Sequence, residues 1–225
     1  MSYSSNHTNR SSIFENGDVI EGDHVKSIYD ELGEDPGDIL SGIGVPYRAS
    51  TWWNAARTFT TSAVTAAGTL SLWPMVLVRA TTFDRIGTYV DTTAGAASTV
   101  VRLGIYNSDA NGMPSTLVSG SETTQDGTVV NSATVAGSTI SVSLGRGRYY
   151  LAAVSQGSGT MPTTARGNGS WCDVNYGNST NFTNIMSGVA ACFGLTGVTG
   201  ALTADLTGSA FTNQSVGHSV AVRMV

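Results

Sequence analysis

The fold class predicted by the sequence is mostly β, an antiparallel β-sandwich (jelly-roll-like) with a short N-terminal helical anchor segment. Apolar residues alternate with residues able to face outward in the segments 101–105, 140–144 and 149–153, which is the period of a half-buried strand. Turn signals at Asn107–Pro114 and Gly145–Gly147 separate these segments. The pattern predicts strands over 59–66, 72–80, 84–91, 100–107, 128–135, 139–144, 148–154 and 218–225, with a tight hairpin at Gly145–Gly147. Many short strands without strand–helix alternation favour antiparallel sheets packed as a sandwich.

Composition and charge divide the chain into two parts. Only 12% of the 225 residues are charged, against about 25% in typical domains, so most of the chain is expected to fold. Residues 1–45 carry nine acids and two basic residues, a net charge of −7, whereas residues 46–225 carry seven acids and nine arginines, a net charge of +2. Such asymmetry marks a separately acting segment. We therefore expect an acidic attachment segment over 1–50 and a β-sandwich domain over 51–225.

A short helix is predicted inside the acidic segment. Asp23 can cap its start, Gly33 can end it and Pro36 follows, which limits the helix to about nine residues. Four apolar residues recur at helical spacing on one face: Val25, Ile28, Tyr29 and Leu32. A helix of that length is not stable alone, so its apolar face must dock, either on the chain's own domain or on a neighbouring subunit.

Aromatic residues mark two further places. Trp52 and Trp53 are adjacent, so their side chains point to opposite faces of an extended chain. The region Gly157–Gly217 is rich in Gly, Ser, Thr and Asn, and it must contain strands whose positions the pattern does not define. Three aromatic residues in this region are candidates for receptor contact: Trp171, Tyr176 and Phe182. Such side chains suit sugar recognition when exposed, and burial in the core is the alternative.

Residues that could carry out catalysis are scarce. His218 is the only histidine in the predicted domain, no serine is marked as its partner, and no G-x-S-x-G motif is present. Most acids of the domain fall in apparent turns, where short acidic side chains cap the backbone, although an acidic pair of a glycan depolymerase is the alternative. No spacing of His, Cys or acids fits zinc or calcium. We expect no catalytic residue, cofactor or metal site.

The two cysteines and the first fifteen residues indicate the cellular compartment in which the protein is made. Cys172 and Cys192 could form a disulfide that closes a loop of about 20 residues, or stay as free buried thiols. The first fifteen residues lack a basic start followed by an apolar run, which predicts no signal peptide, cytoplasmic synthesis and free thiols. No apolar run reaches about 20 residues, and the arginines are scattered, so neither membrane insertion nor nucleic-acid binding is expected.

Residues 81–155 carry a resemblance to a known family. The run TTFDRIGTYVDTTAGAASTVVRLGIYNSDANGMPSTLV and, after a gap, ISVSLGRGRYYLAAVSQGS resemble the β-sandwich module of tailed-bacteriophage virion proteins. Residues 14–32, FENGDVIEGDHVKSIYDEL, are similar to the attachment segments of phage fibre and decoration proteins. Modules of this kind occur in tail fibres, minor tail proteins and capsid fibres.

The resemblance implies a structural protein of the virion, with no catalytic residues to carry over. It implies a head decoration or fibre, or a tail fibre component, anchored through Val25, Ile28, Tyr29 and Leu32 to other virion proteins of the capsid or tail. It also implies a homo-oligomer, with a trimer favoured. The alternative function is a receptor-binding module that recognises a host surface glycan or protein.

Overall fold

Strands make up the secondary structure of the part of the chain that the computed structural model describes, residues 49–54, 58–60, 66–92, 99–127, 137–168, 192–214 and 216–225. These residues contain no helix, and the predicted mostly β class is confirmed for them. They form sixteen strands: β1 (Trp52–Asn54), β2 (Thr58–Thr60), β3 (Leu70–Leu77), β4 (Thr81–Gly87), β5 (Val90–Thr92), β6 (Val100–Ser108), β7 (Pro114–Leu117), β8 (Thr123–Asp126), β9 (Ser138–Leu144), β10 (Gly147–Gln156), β11 (Thr163–Thr164), β12 (Arg166–Asn168), β13 (Cys192–Leu195), β14 (Thr212–Gln214), β15 (Val216–His218) and β16 (Ala221–Met224). The predicted helix and the strand predicted over 128–135 lie outside the described residues.

The strands pair into two larger and two small sheets, and every pairing is antiparallel, as predicted. The four-stranded sheet has the order β1-β16-β4-β9. The seven-stranded sheet has the order β14-β13-β3-β10-β6-β7, with β8 also paired to β6. The small sheets are β11-β5 and β15-β12-β2.

One apolar core is shared by the two larger sheets. The seven-stranded sheet contributes Trp73 and Leu151, and the four-stranded sheet contributes Phe83, Val142 and Val222, all of them buried. The alternation read from the sequence agrees with this core, because β9 shows buried apolar residues at every second position and exposed hydroxyl residues between them. Burial of such apolar faces is the main stabilising contribution to folding.

A second core covers the opposite face of the seven-stranded sheet. Residues 196–211, here called the covering segment, run across that face without forming a regular strand, and their apolar side chains pack on Leu72 and Tyr150. A Cβ atom at Gly104 in β6 would lie 2.6 Å from Cδ1 of Leu202. Glycine at this position therefore leaves the space that the Leu202 side chain occupies.

The two adjacent tryptophans contact different surfaces. Trp53 packs against the core between the larger sheets. The indole of Trp52 lies against Gly137, where a Cβ atom would collide with it. This agrees with the expectation that adjacent side chains of an extended chain point to opposite faces.

Two predicted strands are broken. The last strand was predicted to run from His218 to the C-terminus, but β15 ends at His218 and β16 begins only at Ala221. The backbone N–H of Ser219 donates to Ala165 O (2.9 Å), so the chain leaves the small sheet there before it joins the four-stranded sheet. The strand predicted over 84–91 is likewise divided between β4 and β5.

The register places two groups of connections at opposite ends of the larger sheets. Leu77 pairs with Gly147 and Thr81 pairs with Leu144, so the short turns 78–80 and 145–146 lie side by side. We call this the stem end. At the other end, called the loop end, Val100 pairs with Gln156, and Asn54, Ala221 and Gly87 lie in one row. Connections 55–57, 93–98 and 128–136 leave from the loop end.

Candidate functional site

The site residues predicted from the sequence lie outside the described residues. This applies to the predicted attachment residues Val25, Ile28, Tyr29 and Leu32 and to the predicted receptor contacts Trp171, Tyr176 and Phe182. The segment with the three aromatic residues lies in the chain between β12 and β13. The described residues instead show two cavities and one buried polar cluster that the sequence pattern did not indicate.

The chain enters and leaves the described domain at the stem end. The backbone N–H of Ser50 donates to Met224 O (2.8 Å), and that of Val225 donates to Thr82 O (3.1 Å). Ser50 has a φ of 60°, in the left-handed region, where the chain turns into β1. A cavity of about 480 Å³ opens beside these residues, with the lining Ala49, Arg79, Ala80, Thr81, Thr82, Met224 and Val225. The first and the last described residues therefore border the same cavity.

Three exposed arginines lie on the turns of the stem end. Arg79 is in the turn between β3 and β4, Arg146 is in the two-residue turn between β9 and β10, and Arg148 follows in β10. The third turn at this end, between β6 and β7, carries Asp109, whose carboxylate accepts the N–H groups of Asn111 (2.9 Å) and Met113 (2.7 Å). Three positive charges and one negative charge leave these turns with an excess of positive charge.

A second cavity of about 410 Å³ lies at the loop end, and its lining residues include four glycines (Gly68, Gly157, Gly197 and Gly200) together with Arg102 and Gln156. Arg102 Nε donates to Gln156 Oε1 (2.8 Å), and Gln156 Nε2 donates to Val198 O (3.1 Å). Glu122 pairs with Arg102 (3.4 Å) and accepts the N–H of Leu202 (2.8 Å). These bonds hold the covering segment on the seven-stranded sheet.

A buried polar cluster surrounds His218 at the loop end. Its Nδ1 lies 2.7 Å from Thr164 Oγ1 and its Nε2 lies 3.3 Å from Ser155 Oγ, with donor roles that depend on the tautomer. Trp73 Nε1 donates to the His218 carbonyl (2.5 Å). A catalytic serine–histidine pair needs access to substrate and an acid that orients the imidazole ring. His218 and Ser155 are fully buried, and the His218 Nδ1 atom lies next to the Thr164 hydroxyl instead of a carboxylate. The described contacts connect β15 to β10 and β11.

The thiol of Cys192 is buried and free. Burial raises its pKa to about 12, so the group is a neutral thiol at neutral pH rather than a reactive thiolate. Its Sγ contacts Gln214 Oε1 (3.8 Å). Cys172, the other cysteine considered for a disulfide, lies outside the described residues.

Two carboxylates of the described residues, those of Asp84 and Asp205, have lowered pKa values. Hydrogen bonds from Arg223 hold the pKa of Asp84 below its usual value, and hydrogen bonds from Thr207 lower the pKa of Asp205. A general acid would need a raised pKa. Within the described ranges, no three His, Cys, Asp or Glu side chains are placed to hold a metal ion, and no helix is long and apolar enough to cross a membrane.

Comparison with known proteins gives no relative. No family model, no curated protein and no solved structure matches this chain. The resemblance of residues 81–118 and 140–158 to a phage module stays a prediction, and where described these segments form β4 to β7, most of β9, and β10. They include adjacent strands of both larger sheets.

Proposed function

We propose that the protein is a structural component of a bacteriophage virion. Its N-terminal segment attaches to the particle, and residues 51–225 project as a jelly-roll-like β-sandwich, either a head decoration or fibre or part of a tail fibre. The observation that carries the proposal is that the two ends of the β-domain differ in the chain segments that they carry. The chain enters at Ala49 beside Val225 on the stem end, while the longer connections leave from the loop end.

The β-domain suits such a role because two apolar cores contribute to its stability. Two antiparallel sheets share an apolar core, and the second core on the outer face of the seven-stranded sheet adds further buried area. The outward face of β9 carries Thr139, Ser141 and Ser143, small uncharged side chains that suit contact between protein surfaces. A domain of this size buries about 70% of its unfolded surface.

The attachment role of the N-terminal segment rests on its sequence. The apolar face of the predicted helix, Val25, Ile28, Tyr29 and Leu32, needs a surface to dock on, and residues 1–45 carry the acidic excess. The phage resemblance supports partners among the capsid or tail proteins and a homo-oligomer, with a trimer favoured. The function proposed involves no catalysis, no cofactor and no metal.

Removal of residues 1–45 tests the proposal. The truncated protein is expected to fold and stay soluble but to be missing from assembled particles, because the docking surface is gone. A finer variant changes Ile28 and Leu32 to Ser, and its matched control changes the off-face residues Ser27 and Asp30 to Ala. Incorporation is measured by mass spectrometry of purified particles. A truncated protein that enters particles at the level of the full chain contradicts the proposal.

The second candidate function is receptor binding by the loop end. It is favoured by the 410 Å³ cavity at this end and by the long connection that leaves β12 with Trp171, Tyr176 and Phe182. Adsorption of the purified protein to host cells and glycan arrays tests it. Changing the three aromatic residues to Ala should abolish adsorption, while Tyr149→Phe at the stem end should not. Absence of adsorption by the unchanged protein rejects this candidate.

A further inference from the structure

We infer that His218 and Ser219 form an acid-sensitive joint, which keeps the loop end closed at neutral pH and opens it below about pH 6. The joint lies where the chain passes from β15 in a small sheet to β16 in the four-stranded sheet. Opening means that the small sheets, β11-β5 and β15-β12-β2, separate from the two larger sheets. The inference does not depend on the proposed function.

Ser219 connects three segments that are far apart in the chain. Its backbone N–H donates to Ala165 O (2.9 Å), and its carbonyl accepts the hydroxyl of Thr88 (2.6 Å). Its side-chain oxygen accepts the amide of Asn54 (2.7 Å). The joint therefore holds β1, the turn after β4 and the residue between β11 and β12 in one place.

The His218 ring is placed where a positive charge is disfavoured. The residue is fully buried, and its two ring nitrogens face the hydroxyls of Thr164 (2.7 Å) and Ser155 (3.3 Å). A neutral ring donates through one nitrogen and accepts through the other, and a hydroxyl can take either role. Burial penalises the protonated ring, because its charge loses the solvation of water. The closed joint therefore favours a neutral His218.

The ionisable residues at this end of the elements that pack against His218 are Tyr89, Asp91, Arg166 and Cys192. Burial raises the pKa of Cys192 to about 12, so its thiol is neutral at neutral and acidic pH. Arg166 lies opposite His218 in the register of β12 and β15, and it supplies no negative charge. Tyr89 and Asp91 are half-buried and alternate with fully buried residues, so they point away from the interior. These groups do not provide a buried carboxylate for a protonated ring.

The small sheets can open while the apolar cores stay intact. Their strands contain only two or three residues each. Among the described residues, the members of both cores lie in the larger sheets, in connections next to them or in the covering segment. Parts of a protein with few buried apolar contacts open at a lower free energy than its core. Loss of the joint is therefore expected to release the small sheets from a sandwich that remains folded.

Acid should shift this equilibrium toward the open state. Once it is exposed to water, a histidine ring takes up a proton near about pH 6.5. Below that pH the open state binds one proton more than the closed state, so opening becomes more favourable as the pH falls. For a ring that stays neutral when the joint is closed, the opening equilibrium constant rises about 25-fold between about pH 7 and about pH 5.

Hydrogen exchange of the full-length protein at these two pH values tests the inference. The protection of residues 163–168 and 216–220, corrected for the intrinsic exchange rate at each pH, should fall about 25-fold at the lower pH. The protection of β3 and β10 should change by less than about twofold. A loss of protection shared by all strands would mean that acid unfolds the whole domain, and it would overturn the inference.

His218→Gln removes the titratable ring and keeps a polar side chain. In this variant the protection of the same residues should differ by less than about twofold between the two pH values. The matched control, His7→Gln with His24→Gln, removes the other two histidines and should keep the loss of about 25-fold. An equal loss of protection in His218→Gln and in the unchanged protein overturns the inference.

Nuclear magnetic resonance of the unchanged protein gives a second measurement, which applies even where His218→Gln does not fold. The imidazole carbon shifts of His218 should remain those of a neutral ring at about pH 5.5 in the closed protein. A ring that becomes protonated near about pH 6.5 while residues 163–168 stay protected overturns the inference. Particle incorporation is scored separately, so either result leaves the proposed function standing.

Discussion

The stem end and the loop end of the β-domain are built from different kinds of contact. At the stem end the chain reverses through short local turns, such as the two residues between β9 and β10 or the turn in which Asp109 accepts N–H groups two and four residues ahead. At the loop end, His218 contacts Ser155 and Thr164 across 63 and 54 residues of sequence. Turns at the stem end join neighbouring residues, whereas side-chain contacts at the loop end join strands that are far apart in sequence.

The difference has a consequence for stability. Side chains at the loop end join segments that are far apart in sequence, so their removal releases whole segments rather than single residues. Exposed side chains at the stem end have no such role, because backbone hydrogen bonds from Ser50 and Val225 close that end. We therefore expect substitutions of loop-end contacts to cost more than substitutions of exposed residues.

The largest effect is expected for Leu202→Ala in the covering segment. Leu202 is only 4% exposed and fills the space above Gly104, so its truncation leaves a cavity and should lower the free energy of unfolding by about 3 kcal/mol. Urea denaturation measures the change. Thr199→Ala, an exposed change in the same segment, serves as the control and should stay within about 0.5 kcal/mol. A loss below about 1 kcal/mol for Leu202→Ala would show that the covering segment is not part of the core.

The next effect concerns the buried cluster. His218→Ala leaves the hydroxyls of Ser155 and Thr164 without their shared partner in a fully buried place, which should cost about 2 kcal/mol. Ser155→Ala added to this variant should cost little more, because the contact is already lost. Urea denaturation of the single and double variants checks both statements. Additive losses would show that Ser155 and His218 stabilise the loop end independently.

A smaller effect is expected for Glu122→Gln. Glutamine keeps an oxygen that can accept the N–H of Leu202 but loses the ion pair with Arg102, whose side chain is 26% exposed. The free energy of unfolding should fall by about 0.5 kcal/mol, and the difference should shrink at about 1 M NaCl. A difference that stays the same at high salt would assign the effect to the hydrogen bond and not to the charges.

The smallest effect at neutral pH is expected for Asp84→Asn in the four-stranded sheet. Arg223 lowers the pKa of Asp84 below 3.8 in the folded state, so the ionised form stabilises the fold above that value. This contribution is lost as the pH falls through the lowered pKa. The urea concentration at the midpoint of unfolding should therefore fall further for the unchanged protein than for the variant between about pH 7 and about pH 2.5. Equal losses in both proteins would contradict the assignment.

The sequence predicted those parts of the fold that depend on local pattern. Strands β6, β9 and β10 agree with their predicted positions to within two residues. The tight hairpin predicted at Gly145–Gly147 is wrong, because this turn connects β9, which pairs with β4, to β10, which pairs with β3 and β6 in the other large sheet. Four short strands, β11 to β14, lie in the region where strands were expected but not placed. Their pairing explains this, because β12 joins β2 and β15, and the two partners of Arg166, Thr60 and His218, lie 158 residues apart in the chain.

The candidate surfaces were harder to predict than the fold. Arg79 and Arg146 are far apart in sequence, and they share the stem end only because Leu77 pairs with Gly147. His218 was interpreted as a strand-end residue, and nothing in its local pattern indicates Ser155 or Thr164 as neighbours. The one available signal was the turn predicted at Gly145–Gly147, which places Arg146 and Arg148 where one strand ends and the next begins.

The orientation of the β-domain on an intact particle tests the central claim most directly. An electron cryomicroscopy reconstruction of particles that contain the full-length chain would show which end faces the particle. We predict that the stem end, with Ala49, Arg79 and Val225, faces the particle surface and that the loop end points away from it. A reconstruction in which the loop end contacts the particle and the stem end faces solvent would contradict the account.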